Sequence, residues 1–248
     1  MDATAIRDLQ RHLSQLGLRP GPLDGIWGPR TKAALQVFQR RARVVAHGRF
    51  DPQAEQQLRL HLGQSEMRIG SVTLNLVRSV TPAFPEAWLA PLNKSIHWAH
   101  ITVARVPAYI AQLAHESAHF RTLEEYASGE AYEGRRDLGN TQPGDGPRFK
   151  GRGAIQITGR RNYTRAGAAL GLPLAERPEL LLEPENGFMA SAWYWLDANL
   201  NHFVDTSDFK GLTRAINGGF NGLDDRRRLL QRAQRELSGL APDAVGRC

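Results

Sequence analysis

Two glutamates near the middle of the chain have the residue type and spacing for acid–base chemistry. Glu116 ends an apolar stretch with helical spacing (Val106, Ile110, Leu113), so its carboxyl group should emerge from a helix end beside hydrophobic surface. Such surroundings favour a protonated carboxyl group, which suits a general acid. Glu125 follows nine residues later and would face the opposite way on one continuous helix. The helix must therefore break if the two carboxylates are to face each other across a cleft.

Three segments around these glutamates match the motifs of one enzyme family. Residues 111–120 read AQLAHESAHF, residues 149–158 read FKGRGAIQIT, and residues 216–226 read INGGFNGLDDR. Over about residues 111–228, the chain resembles glycoside hydrolase family 19, the chitinase-like lysozymes found in phage endolysins. The resemblance implies inverting hydrolysis of β-1,4 bonds between amino sugars, with no metal and no organic cofactor. Helical patterns broken at prolines and a sparse strand signal predict a mainly α, two-lobed catalytic domain with a small β element, which the resemblance makes lysozyme-like.

The resemblance also implies roles for individual side chains. Glu116 corresponds to the general acid, Glu125 to the proposed general base, and Thr158 to the hydroxyl that helps hold the attacking water. The candidate substrate-binding residues combine polar and aromatic side chains of the same segments: Gln156, Tyr132, Arg152, Tyr163, Asn217, Asn221 and Arg226. Trp193 and Trp195 lie in a dense apolar helical run, so we expect them in the core.

The N-terminal part of the chain carries an independent signature. Residues 9–41 read LQRHLSQLGLRPGPLDGIWGPRTKAALQVFQRR, and their apolar residues recur at helical spacing on both sides of a glycine-rich loop. This segment resembles the small three-helix peptidoglycan-binding domain of wall hydrolases. In that family the loop and its flanks form a shallow groove for the wall, which makes four residues the wall-binding candidates: Asp24, Gly25, Trp27 and Arg30.

The two signatures predict a two-domain chain. We expect a peptidoglycan-binding domain over residues 1–64, a polar linker over 65–71 and a catalytic domain over 72–248. Within the catalytic domain, helices are expected near 163–170, 185–199 and 209–217, and a strand at 154–158 with a partner at 135–140. The basic helix that starts near Arg226 is expected to pack on the domain; contact with an anionic membrane is the alternative.

Charge and composition limit the classes of binding partner that the chain can have. Residues 1–64 contain ten Lys and Arg against five Asp and Glu, a net charge of +5, whereas the remaining residues carry +2. A basic domain is attracted to polyanions, so peptidoglycan and anionic outer-envelope polymers are candidates, whereas no nucleic-acid motif is present. No apolar run approaches the length of a transmembrane helix, and the lone Cys248 excludes a disulfide framework. We expect a monomer.

The cellular location is inferred from two features. Met1 to Leu13 is amphipathic, so no secretory signal is recognisable. Together with the endolysin resemblance, this predicts accumulation in the host cytoplasm until a holin releases the protein to the periplasmic wall.

Three other functions remain open at this point. Residues 115–119 read HESAH, the H-E-x-x-H pattern of zinc peptidases, and Glu130 or Glu133 could supply a third ligand. The extended form of that motif is absent, and zinc chemistry leaves the segments at 149–158 and 216–226 unexplained. The family resemblance also allows a chitinase, and the N-terminal signature allows a wall-binding protein without catalysis.

Overall fold

The computed structural model describes residues 1–66 and 71–239, and this part of the chain is almost entirely helical. Its α-helices are α1 Ala3–Gln15, α2 Pro29–Arg41, α3 Pro52–Glu66, α4 Leu74–Val80, α5 Leu89–Trp98, α6 Val106–Glu116, α7 Asp145–Arg148, α8 Arg160–Leu170, α9 Pro184–Asp197, α10 Asn201–Asp205, α11 Phe209–Asn217 and α12 Leu223–Gly239. The predicted mainly α fold is confirmed. No helix within the described ranges is long and apolar enough to cross a membrane.

Helices α1–α3 form the predicted three-helix domain around a core of their own. Leu13, Leu35 and Phe38 are buried at its centre. Asp2 caps α1 by accepting a hydrogen bond from the Ala5 backbone at 2.8 Å, which satisfies one of the free N–H groups of the first turn. Most of the predicted linker, residues 67–70, and the C-terminal residues 240–248 with Cys248 lie outside the described residues.

The second domain is built around α6, whose residues from Val106 to Ala114 are all buried. Trp193 and Trp195 of α9 lie in this core as expected, and the indole nitrogen of Trp195 donates to Asn201 Oδ1 at 2.8 Å. The basic helix α12 packs against α6 and α4 and buries Leu229 and Ala233. This confirms that α12 packs on the domain.

The predicted strand at 154–158 is wrong. Among the described residues, the β element consists of two isolated bridges, which join Arg152 to Glu124 and to Ile157. The segment is a turn because Gly153 and Gln156 take positive φ values of 78° and 59°, which reverse the chain. The expected partner at 135–140 contains a short 3-10 helix instead.

Candidate active site

The helix that carries Glu116 ends at that residue, and the chain then turns sharply. Ala118, His119 and Phe120 have positive φ values of 50°, 62° and 59°. The Ser117 hydroxyl accepts a hydrogen bond from the Phe120 backbone at 3.1 Å and stabilises the turn. The break that two cooperating glutamates require is therefore present.

Glu116 is held by a buried arginine. Its side chain is 14% exposed and forms an ion pair with Nη2 of Arg226, which has almost no exposed surface. Arg226 also donates to Gln112, one turn before Glu116 on α6, and its Nε donates to the Asn221 carbonyl at 3.4 Å. The prediction that Arg226 binds substrate is corrected: the guanidinium is enclosed by protein and positions the acid.

Glu125 is held at both carboxylate oxygens. The Tyr132 hydroxyl donates to Oε1 at 2.9 Å, and the Gly151 backbone N–H donates to Oε2 at 3.0 Å. The Glu125 backbone N–H in turn donates to the Gly151 carbonyl at 2.9 Å. Burial and the hydrogen bond to Glu125 raise the pKa of Tyr132 to about 12, so the phenol keeps its proton and remains a donor.

Gly151 brings Gln156 and Thr158 to the same loop. A Cβ atom at Gly151 would lie 2.6 Å from Gln156 Oε1 and 3.1 Å from Glu125 Oε2, so any side chain there would displace these two groups. The Thr158 hydroxyl donates to the Gln156 carbonyl at 2.9 Å. With its proton used in this way, the oxygen of Thr158 is an acceptor for a hydrogen atom of a nearby water. Glu125, Tyr132 and Gln156 are thus brought together, and the Thr158 hydroxyl is joined to the backbone of Gln156.

Arg152 and Tyr163 lie beneath this loop. Arg152 Nε donates to Glu124 Oε1 at 3.1 Å, and its Nη1 donates to the Tyr163 hydroxyl at 3.2 Å. Tyr163 is fully buried, burial raises its pKa, and its hydroxyl donates to the Lys150 carbonyl at 2.7 Å. The predicted substrate contacts of Arg152 and Tyr163 are corrected: both residues support the loop from inside the domain.

A third segment, from Asn217 to Gly222, is held next to the helix end that carries Glu116. Asn217 and Asn221 are exposed, as a role in substrate binding requires. Gly222 lies against the His115 imidazole with no room for a side chain. Asp225 then accepts hydrogen bonds from His115 Nδ1 at 2.8 Å and His119 Nε2 at 3.2 Å.

The ligand set of a zinc peptidase is not assembled. His119 lies beyond the end of α6, so the two histidines do not share a helix face, and both bind Asp225. Glu133 accepts hydrogen bonds from the backbones of Gly144 and Gly146 at 2.8 and 2.7 Å. Within residues 1–66 and 71–239, no group of three His, Cys, Asp or Glu side chains is arranged to hold a metal ion.

Several residues near the two glutamates were not predicted from the sequence. Tyr126 follows Glu125 directly and is 80% exposed, and Phe220 is an exposed aromatic residue inside the 216–226 segment. Exposed rings beside a polar site can stack on sugars. Both aromatic residues lie in or next to segments that the sequence had already marked as part of the site, and this position could have identified them. Gln112 was also missed, although a polar residue in an apolar helix indicates a buried polar contact.

The four wall-binding candidates separate into two groups. Asp24 accepts hydrogen bonds from Gln10 Nε2 at 3.0 Å and from the Ile26 backbone at 2.9 Å, which closes the loop. Gly25 is buried against the Ala3 carbonyl with a φ of 76°, so its predicted wall contact is wrong. Both residues shape the loop.

Trp27 and Arg30 are exposed but line different cavities. Trp27 is 37% exposed and borders a cavity of about 800 Å³ with the apolar residues Ile6 and Phe50 and the cationic residues Lys32 and Arg49. Arg30 borders a cavity of about 500 Å³ between the two domains. Trp27 is therefore the candidate that best fits a wall-binding surface on the first domain.

Comparisons with known proteins match both domains. Residues 2–58 match the family described as putative peptidoglycan binding domain, and residues 101–206 match chitinase class I, the model of glycoside hydrolase family 19. The chain carries a family 19 domain. The matched part of this domain contains Glu116, Glu125, Gln156 and Thr158, whereas the segment from Asn217 to Arg226 lies beyond it.

Relatives of the family 19 domain occur in plants and bacteria. An endochitinase of Arabidopsis thaliana is 39% identical over 121 residues, which cover 48% of this chain and 41% of the relative. A glycosyl hydrolase family 19 domain-containing protein of Haemophilus influenzae is 33% identical over 105 residues, 42% of this chain and 50% of the relative. The chain thus spans half or less of the length of these relatives.

Solved structures share the fold of the family 19 domain. Chitinase C from Streptomyces griseus aligns with a TM-score of 0.57 and 21% identity, over 68% of this chain and 93% of that one. A class IV family 19 chitinase from Zea mays aligns with a TM-score of 0.52 and 20% identity, over 69% of this chain and 92% of that one. At this identity the likeness shows the fold alone.

Proposed function

We propose that the protein hydrolyses β-1,4 glycosidic bonds between amino sugars of bacterial peptidoglycan by an inverting mechanism. The observation that carries this proposal is the arrangement around Glu125. Its carboxylate is oriented at both oxygens, and the hydroxyl oxygen of Thr158 lies on the same loop as a water acceptor. This is the arrangement expected of a general base that acts on water.

Glu116 serves as the general acid. It transfers its proton to the leaving glycosidic oxygen as the bond to the anomeric carbon breaks. This step leaves a carboxylate on Glu116, and the ion pair with Arg226 stabilises that charge. Because Arg226 is itself fixed by Gln112 and the Asn221 carbonyl, little reorganisation accompanies the transfer.

Glu125 completes the reaction on the other face of the sugar. It takes a proton from a water whose second hydrogen binds Thr158 Oγ1, and the resulting hydroxide attacks the anomeric carbon. An inverting enzyme needs about 6.5–9.5 Å between its two carboxyl groups to hold this water. Gln156, Asn217 and Asn221 supply amides for the N-acetyl and hydroxyl groups, and Tyr126 and Phe220 supply exposed rings.

The N-terminal domain favours peptidoglycan as the substrate. A domain that binds the wall raises the local substrate concentration, and its net charge of +5 favours anionic wall polymers. The endochitinases among the relatives support chitin as the second candidate. We further propose an endolysin role, with accumulation in the host cytoplasm, holin-dependent release and lysis at the periplasmic wall. That role rests on the endolysin resemblance.

Product analysis on two polymers tests the proposal. The purified protein is incubated with sacculi and with chitin oligosaccharides, and new reducing ends and their initial anomer are followed by NMR. We expect reducing sugars from sacculi, first as the α-anomer, and clearing of outer-membrane-permeabilised Gram-negative cells. Faster cleavage of chitin than of sacculi would favour the second candidate. Peptide fragments without new reducing ends would contradict both.

A further inference from the structure

The loop between α1 and α2 inserts one apolar side chain into the family 19 domain. Leu23 is 5% exposed and belongs to the hydrophobic core of that domain, not to the core of α1–α3. Its backbone N–H donates to Asp197 Oδ1 at 3.0 Å, at the end of α9. Arg165 binds both oxygens of the same carboxylate at 2.7 Å. One residue of the N-terminal domain thus makes an apolar and a polar contact with the other domain.

A second set of contacts fixes the end of α1. Gln15 Nε2 donates to the Trp98 carbonyl at 3.0 Å, and Arg105 Nη1 donates to the Gln15 carbonyl at 3.3 Å. The guanidinium of Arg11 lies 5.5 Å from the centre of the Trp98 ring, within the range of a cation–π contact. Arg105 is itself held by two hydrogen bonds of 2.8 Å to Asp205.

These contacts stabilise the docked arrangement of the two domains. Separating the domains would expose Leu23 and the apolar surface that it covers to water, which is unfavourable in proportion to the exposed apolar area. The Asp197 carboxylate, which is largely buried, would lose its backbone donor. A loss of charge-assisted hydrogen bonds in a buried site adds further cost. A domain held only by a flexible linker would show none of these contacts.

The docked face leaves the Trp27 cavity open. The residues around that cavity, including Ile6, Lys32 and Phe50, are not the residues that contact the family 19 domain. Leu23 and Trp27 lie four residues apart in the same loop. The loop is closed by Gln10, which donates to Asp24 Oδ1 and accepts from the Gly25 backbone N–H. The loop thus joins the wall-facing side of the first domain to the core of the second.

We propose that the face formed by Trp98, Arg105, Asp197 and Asp205 is a docking surface for the N-terminal domain, so that both domains engage the wall as one rigid body. The wall-binding surface then sets a fixed position of the cleft relative to the polymer. A flexible tether would only raise the local concentration. The contacts between the domains do not depend on which polymer the cleft hydrolyses.

A single substitution with a matched control tests the docking surface in the full-length protein. Leu23→Asp places a charge in the interface, whereas Ile26→Asp places the same charge at a position of the same loop that is 66% exposed. Calorimetry should show one cooperative transition for the wild type and Ile26→Asp, and two transitions for Leu23→Asp. In hydrogen exchange, the Leu23 amide should be protected in the wild type by at least about a hundredfold.

Activity provides the second measurement. Leu23→Asp should cleave soluble oligosaccharides at the wild-type rate but sacculi several-fold more slowly, and Ile26→Asp should match the wild type on soluble oligosaccharides. If Leu23→Asp does not fold, Leu23→Ala should show the same separation of transitions to a smaller degree. Two transitions in the wild type that Leu23→Asp leaves unchanged, or an unprotected Leu23 amide, would overturn the docking surface. Neither result bears on the chemistry at Glu116 and Glu125.

Discussion

Glu116 and Glu125 differ in the groups that hold them, and the arginine beside Glu116 corrects the expectation that its surroundings favour a protonated carboxyl group. Glu116 is paired with a fixed cation that favours the carboxylate left after proton donation. Glu125 accepts from a neutral hydroxyl and a backbone N–H, which orient its two carboxylate oxygens. The nearby Lys150 ammonium donates to the backbone carbonyl of Glu125. An orientation of this kind suits a base that must accept a proton from water.

Replacing either carboxyl group by an amide should remove most of the activity. Glu116→Gln and Glu125→Gln keep the size of the side chain but cannot donate or accept the proton, so sacculus hydrolysis should fall by at least about a hundredfold. Thermal unfolding should show that both variants are folded. Glu130→Gln is the control, because Glu130 is exposed and lies outside the Gly151 loop, and it should stay within a few fold. Full activity in either of the first two variants would refute that assignment.

Thr158 should matter through its hydroxyl group alone. Thr158→Ala removes the acceptor for the attacking water, but water can still enter, so kcat should fall roughly tenfold. Thr158→Ser keeps the oxygen and should recover most of the rate, while KM should change little in both variants. An equal loss in the serine variant would mean that the methyl group, and not the hydroxyl, is required.

At the scale of elements, α12 fastens the Asn217–Gly222 segment to α6. Asp225 in the first turn of α12 binds His115 on α6 and His119 beyond it. Burial acts to raise the pKa of Asp225, but the hydrogen bond from His115 and the charges of His119 and His115 outweigh it and lower this pKa. Asp224 and Asp225 both lie in the first turn of α12, where a carboxylate interacts favourably with the helix N-terminus.

The two aspartates provide a matched pair of variants. Asp225→Asn weakens both histidine contacts, so the free energy of unfolding should fall by about 1–2 kcal/mol. The loosened Asn217–Gly222 segment should also raise KM. Asp224→Asn removes the same charge from the same helical turn at an exposed position and should change neither quantity measurably. Urea unfolding and steady-state kinetics measure the two effects. Identical behaviour of the two variants would show that the contacts of Asp225 with the two histidines do not hold the Asn217–Gly222 segment.

At the scale of the whole molecule, the domain interface encloses histidines that stay neutral. Burial lowers the pKa of His100 to about 4, and the neighbouring side chains of His12, Arg11 and Arg105 act in the same direction. Burial and the neighbouring Arg11 likewise lower the pKa of His12 to about 4. An unfolded chain binds these protons near pH 6.5, so stability is lost as the pH falls from about 6.5 towards 4.

A variant without the interface imidazole should be less sensitive to acid. His100→Asn suits the positive φ of 50° at this position, because asparagine tolerates this conformation. Between pH 7 and pH 4, the urea midpoint of the wild type should fall more than that of His100→Asn. Other groups titrate in both proteins, so the difference between the two curves isolates His100. Parallel curves would show that protonation of His100 does not affect folding.

Local features were predictable from the sequence because they depend on neighbours in the chain. The helical spacing before Glu116, the nine-residue step to Glu125 and the helical spacing on both sides of the loop in residues 9–41 rest on periodicity and short motifs. The end of α6 at Glu116 and the burial of Trp193 and Trp195 agree with those expectations. The strand at 154–158 failed because its apolar alternation did not reveal the turn at Gly153 and Gln156.

Tertiary structure decided which residues hold the glutamates and how the two domains meet. Arg226 contacts Glu116 across 110 positions of the chain, and Leu23 contacts Asp197 across 174. In the sequence, Tyr163 and Arg226 are candidates for substrate binding at the surface. In the structure, both side chains are buried inside the domain. Periodicity and spacing report only contacts between near neighbours. Partners this distant are brought together by the packing of helices, which no local pattern encodes.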